Sequence, residues 1–181
     1  MEFQDEFGRQ QIRYTHPFTL FSIEADKNWI SLAQGRLPKK LKDIITFSYS
    51  EVFMETFKDR FCHYYKKLPN IMPDFIYVDG PAGAQVHGMI DGSDFKENIE
   101  RTVISGDLLR IEPTLLPETM IVFDGRTNNA RFVKNNFQRL SDVTESEDGE
   151  YTLFQLIEPP LGMHNKKRST FHNIPITRVT K

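Results

Sequence analysis

Three acidic residues stand where apolar runs end. Glu24 follows Phe18-Thr19-Leu20-Phe21-Ser22-Ile23, Asp79 follows Phe75-Ile76-Tyr77-Val78, and Asp124 follows Met120-Ile121-Val122-Phe123. Asp79 and Asp124 each precede glycine, a pair that favours a turn and stops a strand. In open α/β sheets, ligands bind beyond the carboxyl ends of parallel strands. Three acids at one such edge form a binding rim. His87, in the glycine-bearing segment after Asp79, is a candidate general base because imidazole titrates near neutrality; an ordinary surface histidine is the competing reading. Arg126, Asn128 and Asn129 suit contact with a polar substrate, and Asn128 equally suits the N-cap of the helix that follows.

These residues need a scaffold, and the chain supplies one in alternating pieces. Residues 1–17 are polar, with a short helix before Pro17. A strand over 18–23 is closed by Glu24-Ala25-Asp26, and Asp26 is placed to cap a helix. That helix carries Trp29, Leu32, Ala33 and Leu37 at helical spacing and stops at Pro38. Ile44–Tyr49 reads as a second strand. Thr56–Leu68 reads as a helix with Phe57, Phe61, Tyr64 and Leu68 on one face.

The Asp79 strand follows Pro73, and residues 82–104 give no clear period. A short helix over Asp107–Leu116, bent at Pro113, precedes the Asp124 strand. Next comes a helix with Ala130, Val133, Phe137 and Leu140 on one face. The acidic stretch Asp142–Glu150 ends in the hairpin signal Asp148-Gly149, and Tyr151–Ile157 is the last strand. Strand–helix alternation predicts an α/β fold whose largely parallel sheet is covered on both faces, closed by an antiparallel hairpin. No repeat or linker divides the 181 residues, so a single domain over 1–181 is expected.

Composition narrows the function. The net charge of −2 argues against nucleic acid as the partner, and Lys166-Lys167-Arg168 reads as a solvated tail feature. The single cysteine, Cys62, excludes an internal disulfide and fits a reducing cytoplasm as a buried core thiol. No apolar run approaches the ~18 residues of a membrane span. The acidic start, Met1-Glu2-Phe3-Gln4-Asp5-Glu6, is unlike a signal peptide. A soluble cytoplasmic protein is expected.

At this level the chain resembles a family. FTLFSIEAD, ITFSYSEV, PDFIYVDGP and ETMIVFDGR are similar to the second to fifth strands of class I S-adenosylmethionine-dependent methyltransferases. YTLFQLIEPP resembles the last antiparallel strand of that Rossmann-like fold. PDFIYVDGP, IVFDGRTNNARFVKNNFQ and EPPLG are similar to small-molecule methyltransferases of bacterial surface-polysaccharide clusters. The resemblance covers 17–163, leaving 164–181 as a tail.

The resemblance implies that Glu24 accepts hydrogen bonds from the cofactor's ribose hydroxyls, which suits a carboxylate's two oxygens. It implies that Tyr49, Ser50 and Glu51 flank the adenine, and that Asp79 faces the methyl donor and substrate. In the metal-using branch, typified by catechol O-methyltransferase, Asp79 and Asp124 match the acids that hold Mg2+, with Asn128 as a third oxygen ligand. The implied reaction is methyl transfer to a hydroxyl of a sugar or similar small molecule, assisted by Asp79, the metal or His87.

The family's first strand and glycine-rich cofactor loop have no counterpart ahead of Glu24, where Gly8 is the sole glycine. The expectation is an N-terminally truncated relative without the strand that lies between the Glu24 and Asp79 strands. A non-catalytic remnant acting as a dimeric binding or assembly module is the alternative. A metal-dependent nucleotide-sugar transferase is a third reading, with no Asp-x-Asp element to support it.

Overall fold

The computed structural model describes residues 19–98 and 100–158. Expectations for residues 1–18 and for the tail from Pro159 onward lie outside the described residues. Nine strands and four α-helices form a mixed α/β architecture in three sheets among the described residues.

The first sheet pairs β1 (Leu20–Glu24) with β2 (Ile45–Tyr49) in parallel, Leu20 opposite Ile45 and Glu24 opposite Tyr49. Helix α1 (Lys27–Arg36) and the short α2 (Lys39–Lys42) connect them. Asp26 caps α1 as expected, accepting a hydrogen bond from the Asn28 amide at 2.8 Å. The expected apolar face of α1 is not buried: Trp29 is 56% exposed and Leu32 39%. No residue of α1 is fully buried, so the helix leans on its cap. Asp26→Ala is expected to cost about 1 kcal/mol of helix stability, read as faster hydrogen exchange of α1 amides with the other helices unchanged.

The second sheet corrects the sequence reading. Thr56–Leu68 is not a helix: β3 (Val52–Phe57) and β4 (Arg60–Tyr65) form an antiparallel hairpin. Lys58 and Asp59 make the turn with φ of 50° and 62°, the left-handed pair that matches the twist of a two-residue hairpin. Val52 and Met54 point from one face of β3 into a small core with Val86, Phe95 and Val103. That period of two outweighs the helical spacing of Phe57, Phe61 and Tyr64. A two-residue β6 (Val86–His87) pairs in parallel with β3.

The third sheet has the order β5-β7-β9-β8. Parallel β5 (Phe75–Val78) and β7 (Met120–Asp124) carry Asp79 and Asp124 beyond or at their carboxyl ends. The terminal hairpin is present as β8 (Ser141–Glu145) and β9 (Tyr151–Leu156), with β9 antiparallel to β7. Helix α3 (Asp107–Ile111) passes into a 3-10 turn over Glu112–Thr114 at Pro113, as expected. Together with α4 (Thr127–Asn136) it buries one face of this sheet: Leu108, Leu109, Ala130 and Val133 meet Ile121, Phe123, Phe154 and Leu156.

The expected cover on both faces is not found among the described residues. Phe75, Tyr77 and Tyr151 are 55%, 56% and 47% exposed. The segment between β2 and β5, expected as a helix to lie on the sheet, is spent on the β3–β4 hairpin instead. Leu140, expected on the inner face of α4, is 59% exposed beyond the helix end.

Candidate functional site

Glu24 and Asp79 line one cavity of about 390 Å3. Ser22 and Glu24 of β1, Phe47 of β2 and Trp29 of α1 form one wall, and the turn from Asp79 to Gln85 forms the other. Strand termini explain the placement. β1 delivers Glu24 at its carboxyl end, and the Gly80-Pro81 turn ends β5 just after Asp79.

The Glu24 carboxylate folds back on its own chain. One oxygen, Oε1, accepts from the amides of Ala25 at 2.7 Å and Asp26 at 3.1 Å, which fixes the group at the cavity and leaves Oε2 for a ligand. The Asp79 side chain is 70% exposed, with the Arg126 guanidinium 3.8 Å away. Arg126 also donates to the Pro81 carbonyl at 3.2 Å, so one cation ties the turn and its carboxylate together.

The other expected residues are placed elsewhere. The Ser50 side chain is buried and occupied: its hydroxyl donates to the Glu51 carbonyl and accepts from the Lys67 amide. Glu51 pairs with Lys66 at 2.8 Å, and that ammonium holds its carboxyl below the usual range. Tyr49 lies under the Lys27 ammonium, 4.6 Å from its ring centre. None of the three lines the cavity. His87 stands on β6 with its ring 5.8 Å from that of Phe53, and it too is outside the cavity lining.

The expected metal ligands each have another partner. Asp79 faces Arg126, and Asp124 accepts a short hydrogen bond from the Tyr77 hydroxyl. The carboxylate raises that phenol above its usual range. Asn128 donates to the Thr102 hydroxyl at 3.1 Å, and it does not cap α4, whose N-cap is Arg126. Among the described residues no three His, Cys, Asp or Glu side chains gather to hold a metal ion. A cation bridging Asp79 and Asp124 would have to displace Arg126 and the Tyr77 hydroxyl, so these residues do not fit one as they stand.

Beneath the Arg126 turn lies a buried polar cluster that sequence reasoning missed. His63 is fully buried, and neither ring nitrogen has a hydrogen-bond partner among the described residues. Burial, helped by the Arg126 charge, lowers its pKa to about 4. Asp107 is nearby and also buried, accepting from the Tyr65 amide at 3.1 Å and the Ser105 hydroxyl at 3.2 Å. Burial raises its carboxyl to about 6.

Tyr65 stacks edge-on against His63 and reaches toward Gly80, and burial with the Glu24 charge pushes its phenol far above the usual range. Asn129, also buried, accepts from the Ser105 amide. The run Cys62-His63-Tyr64 has no periodic signal, because three successive residues of β4 are buried and so both its faces are covered there.

Comparison of the chain with family models, with curated proteins and with solved structures finds no match. Among the described residues no helix is long and apolar enough to cross a membrane.

Proposed function

We propose that this chain is an S-adenosylmethionine-dependent methyltransferase, or a non-catalytic relative of one, acting in the cytoplasm on a hydroxyl of a sugar or other small molecule. The single observation in its favour is the convergence of Glu24 and Asp79 on one cavity with Trp29. The lining suits a nucleoside. Glu24 offers a carboxylate oxygen to hydroxyl donors, and the Trp29 indole offers a face to a purine.

Bound S-adenosylmethionine would supply an electrophilic methyl for in-line attack by a hydroxyl oxygen. Asp79 is the base at the cavity and takes the proton the substrate oxygen loses, with Arg126 holding its carboxylate at the turn. Positioning supplies most of the rate in such a transfer. His87, off the cavity, is not assigned a step.

Isothermal titration with S-adenosylhomocysteine, with and without Mg2+, tests this reading. Micromolar binding is expected, weakened at least roughly tenfold by Glu24→Ala through loss of a charged acceptor (on the order of 1.5–3 kcal/mol), with circular dichroism unchanged. A folded chain that binds nothing overturns it. A second reading, a non-catalytic assembly module, is favoured by the strand edges: among the described residues β1 pairs with β2 alone, and β5 with β7 alone. A dimer in solution that ignores the cofactor would support that reading instead.

A further inference from the structure

The third sheet carries a second apolar face. Side chains alternate along a strand, so Ile121, Phe123, Phe154 and Leu156 enter the core and the residues between them point away from it. The registers set those outer residues side by side: Phe75 beside Met120, Tyr77 beside Val122, and Val122 beside Leu153. Tyr151 joins them, across from Asp124. A sheet that is apolar on both sides needs cover on both. Helices α3 and α4 cover the core side, while Phe75, Tyr77 and Tyr151 of the outer side stay about half exposed. Helix α1 has the converse property. It rests on β1 and β2, yet Trp29, Leu32 and Arg36 form an exposed stripe at helical spacing. Both surfaces are open in one chain, so neither covers the other there.

We infer that two copies of this chain form a two-fold dimer in which α1 of each lies on the outer face of the other's third sheet. Such symmetry makes the contact twice over, each copy giving its helix and receiving its partner's. Three observations carry it. The first is charge. Residues 27–42 hold five Lys and Arg and no acid, whereas residues 141–150, along β8 and its turn, hold five Asp and Glu and no cation. Among the described residues none of those five cations is in an ion pair, and of those five acids Glu145 alone is. The second is size. The 10 residues of α1 make about 15 Å of helix, and five-residue strands such as β7 are roughly 17 Å long. The third is area. Trp29, Phe75, Tyr77 and Tyr151 are each about half exposed, which leaves roughly 400 Å2 of aromatic surface open per copy. That is about half of the ~800 Å2 a standard interface takes from each partner, and the charged flanks supply the rest.

The test is the mass of the full chain in solution, followed through a dilution series at low and high salt. Two exposed double variants accompany it: Arg36→Glu/Lys40→Glu on the helix side and Asp148→Lys/Glu150→Lys on the hairpin side. All four positions lie outside the cavity lining, so the result is separable from cofactor titration. The natural chain is expected to dimerise, more weakly as salt screens the charges. Each variant alone is expected to raise the dissociation constant at least tenfold, with circular dichroism unchanged. An equal mixture of the two is expected to dimerise again, because both contacts in the mixed pair then join opposite charges. A natural chain that stays monomeric overturns the proposal and makes the occupant another part of the chain or a different partner. A dimer that neither variant weakens overturns it in favour of strand-edge pairing. Loss in both variants without recovery in the mixture overturns it as well.

Discussion

Gly106→Ala is expected to unfold or severely destabilise the protein. Gly106 precedes α3, and its amide donates to the His63 carbonyl at 2.9 Å, which binds the helix start to β4. A methyl group at this position would come within 2.6 Å of Tyr64 Cε1 and of its hydroxyl oxygen. The Tyr64 ring cannot step aside, because it is 8% exposed and lies under the Arg110 guanidinium, 4.2 Å from its centre. Overpacking of a buried site costs typically ~1–3 kcal/mol, and a contact this close belongs at the upper end. The backbone itself is not strained there, with φ of −91°. The penalty is therefore steric, and Tyr64→Leu in the same chain should restore much of it. Urea denaturation of the single and double variants checks the claim; equal midpoints for Gly106→Ala and the natural chain would refute it.

The second large effect is a pair of opposed pH dependences that the natural protein nearly hides. His63 has a pKa of about 4 in the fold against 6.5 when free. On acidification the unfolded chain takes up this proton first, so stability is present above pH 6.5 and is lost as pH falls toward 4. Asp107 works the other way. Its pKa of about 6 in the fold exceeds the free value of 3.8, so its stabilising contribution is present below pH 3.8 and is lost as pH rises through 6. Each contribution is on the order of 3 kcal/mol across its window, and between pH 4 and 6 they largely cancel.

Removing one partner should expose the other. His63→Leu removes a ring with two unpaired buried nitrogens, so it should stabilise the protein at pH 7. That variant should then gain further stability from pH 7 to pH 4. Asp107→Asn, which keeps an oxygen for the Tyr65 amide, should instead lose stability steeply over the same range. Denaturation midpoints at pH 7, 5.5 and 4 for the three proteins decide the matter, and parallel curves would count against both assignments. The cluster lies under the Arg126–Pro81 turn, so the same variants also test whether cavity geometry depends on it.

Local signals in the sequence determined much of the frame. Apolar runs punctuated by Asp-Gly were enough to find β5, β7 and their acids. Asp26 revealed a cap, Pro113 a bend, and Asp148-Gly149 the terminal hairpin. Each depends on neighbours within a few residues, and there a sequence is most informative. Of the three acids expected at one rim, Glu24 and Asp79 line one cavity and Asp124 does not.

Tertiary structure decided the rest. Phe57, Phe61 and Tyr64 satisfy a helical spacing as well as a hairpin, and only the left-handed turn at Lys58-Asp59 and the core under Val52 and Met54 select the hairpin. The separation of Ser50, Glu51 and His87 from the cavity follows from that choice, since the hairpin carries them onto a different sheet or its connection. Arg126 and Asn128 sit two residues apart, yet one ties down the Asp79 turn while the other bonds Thr102. His63 and Asp107 are 44 positions apart, and nothing local marks either. Their perturbed protonation comes from burial, a property of the folded surroundings that no stretch of sequence carries by itself.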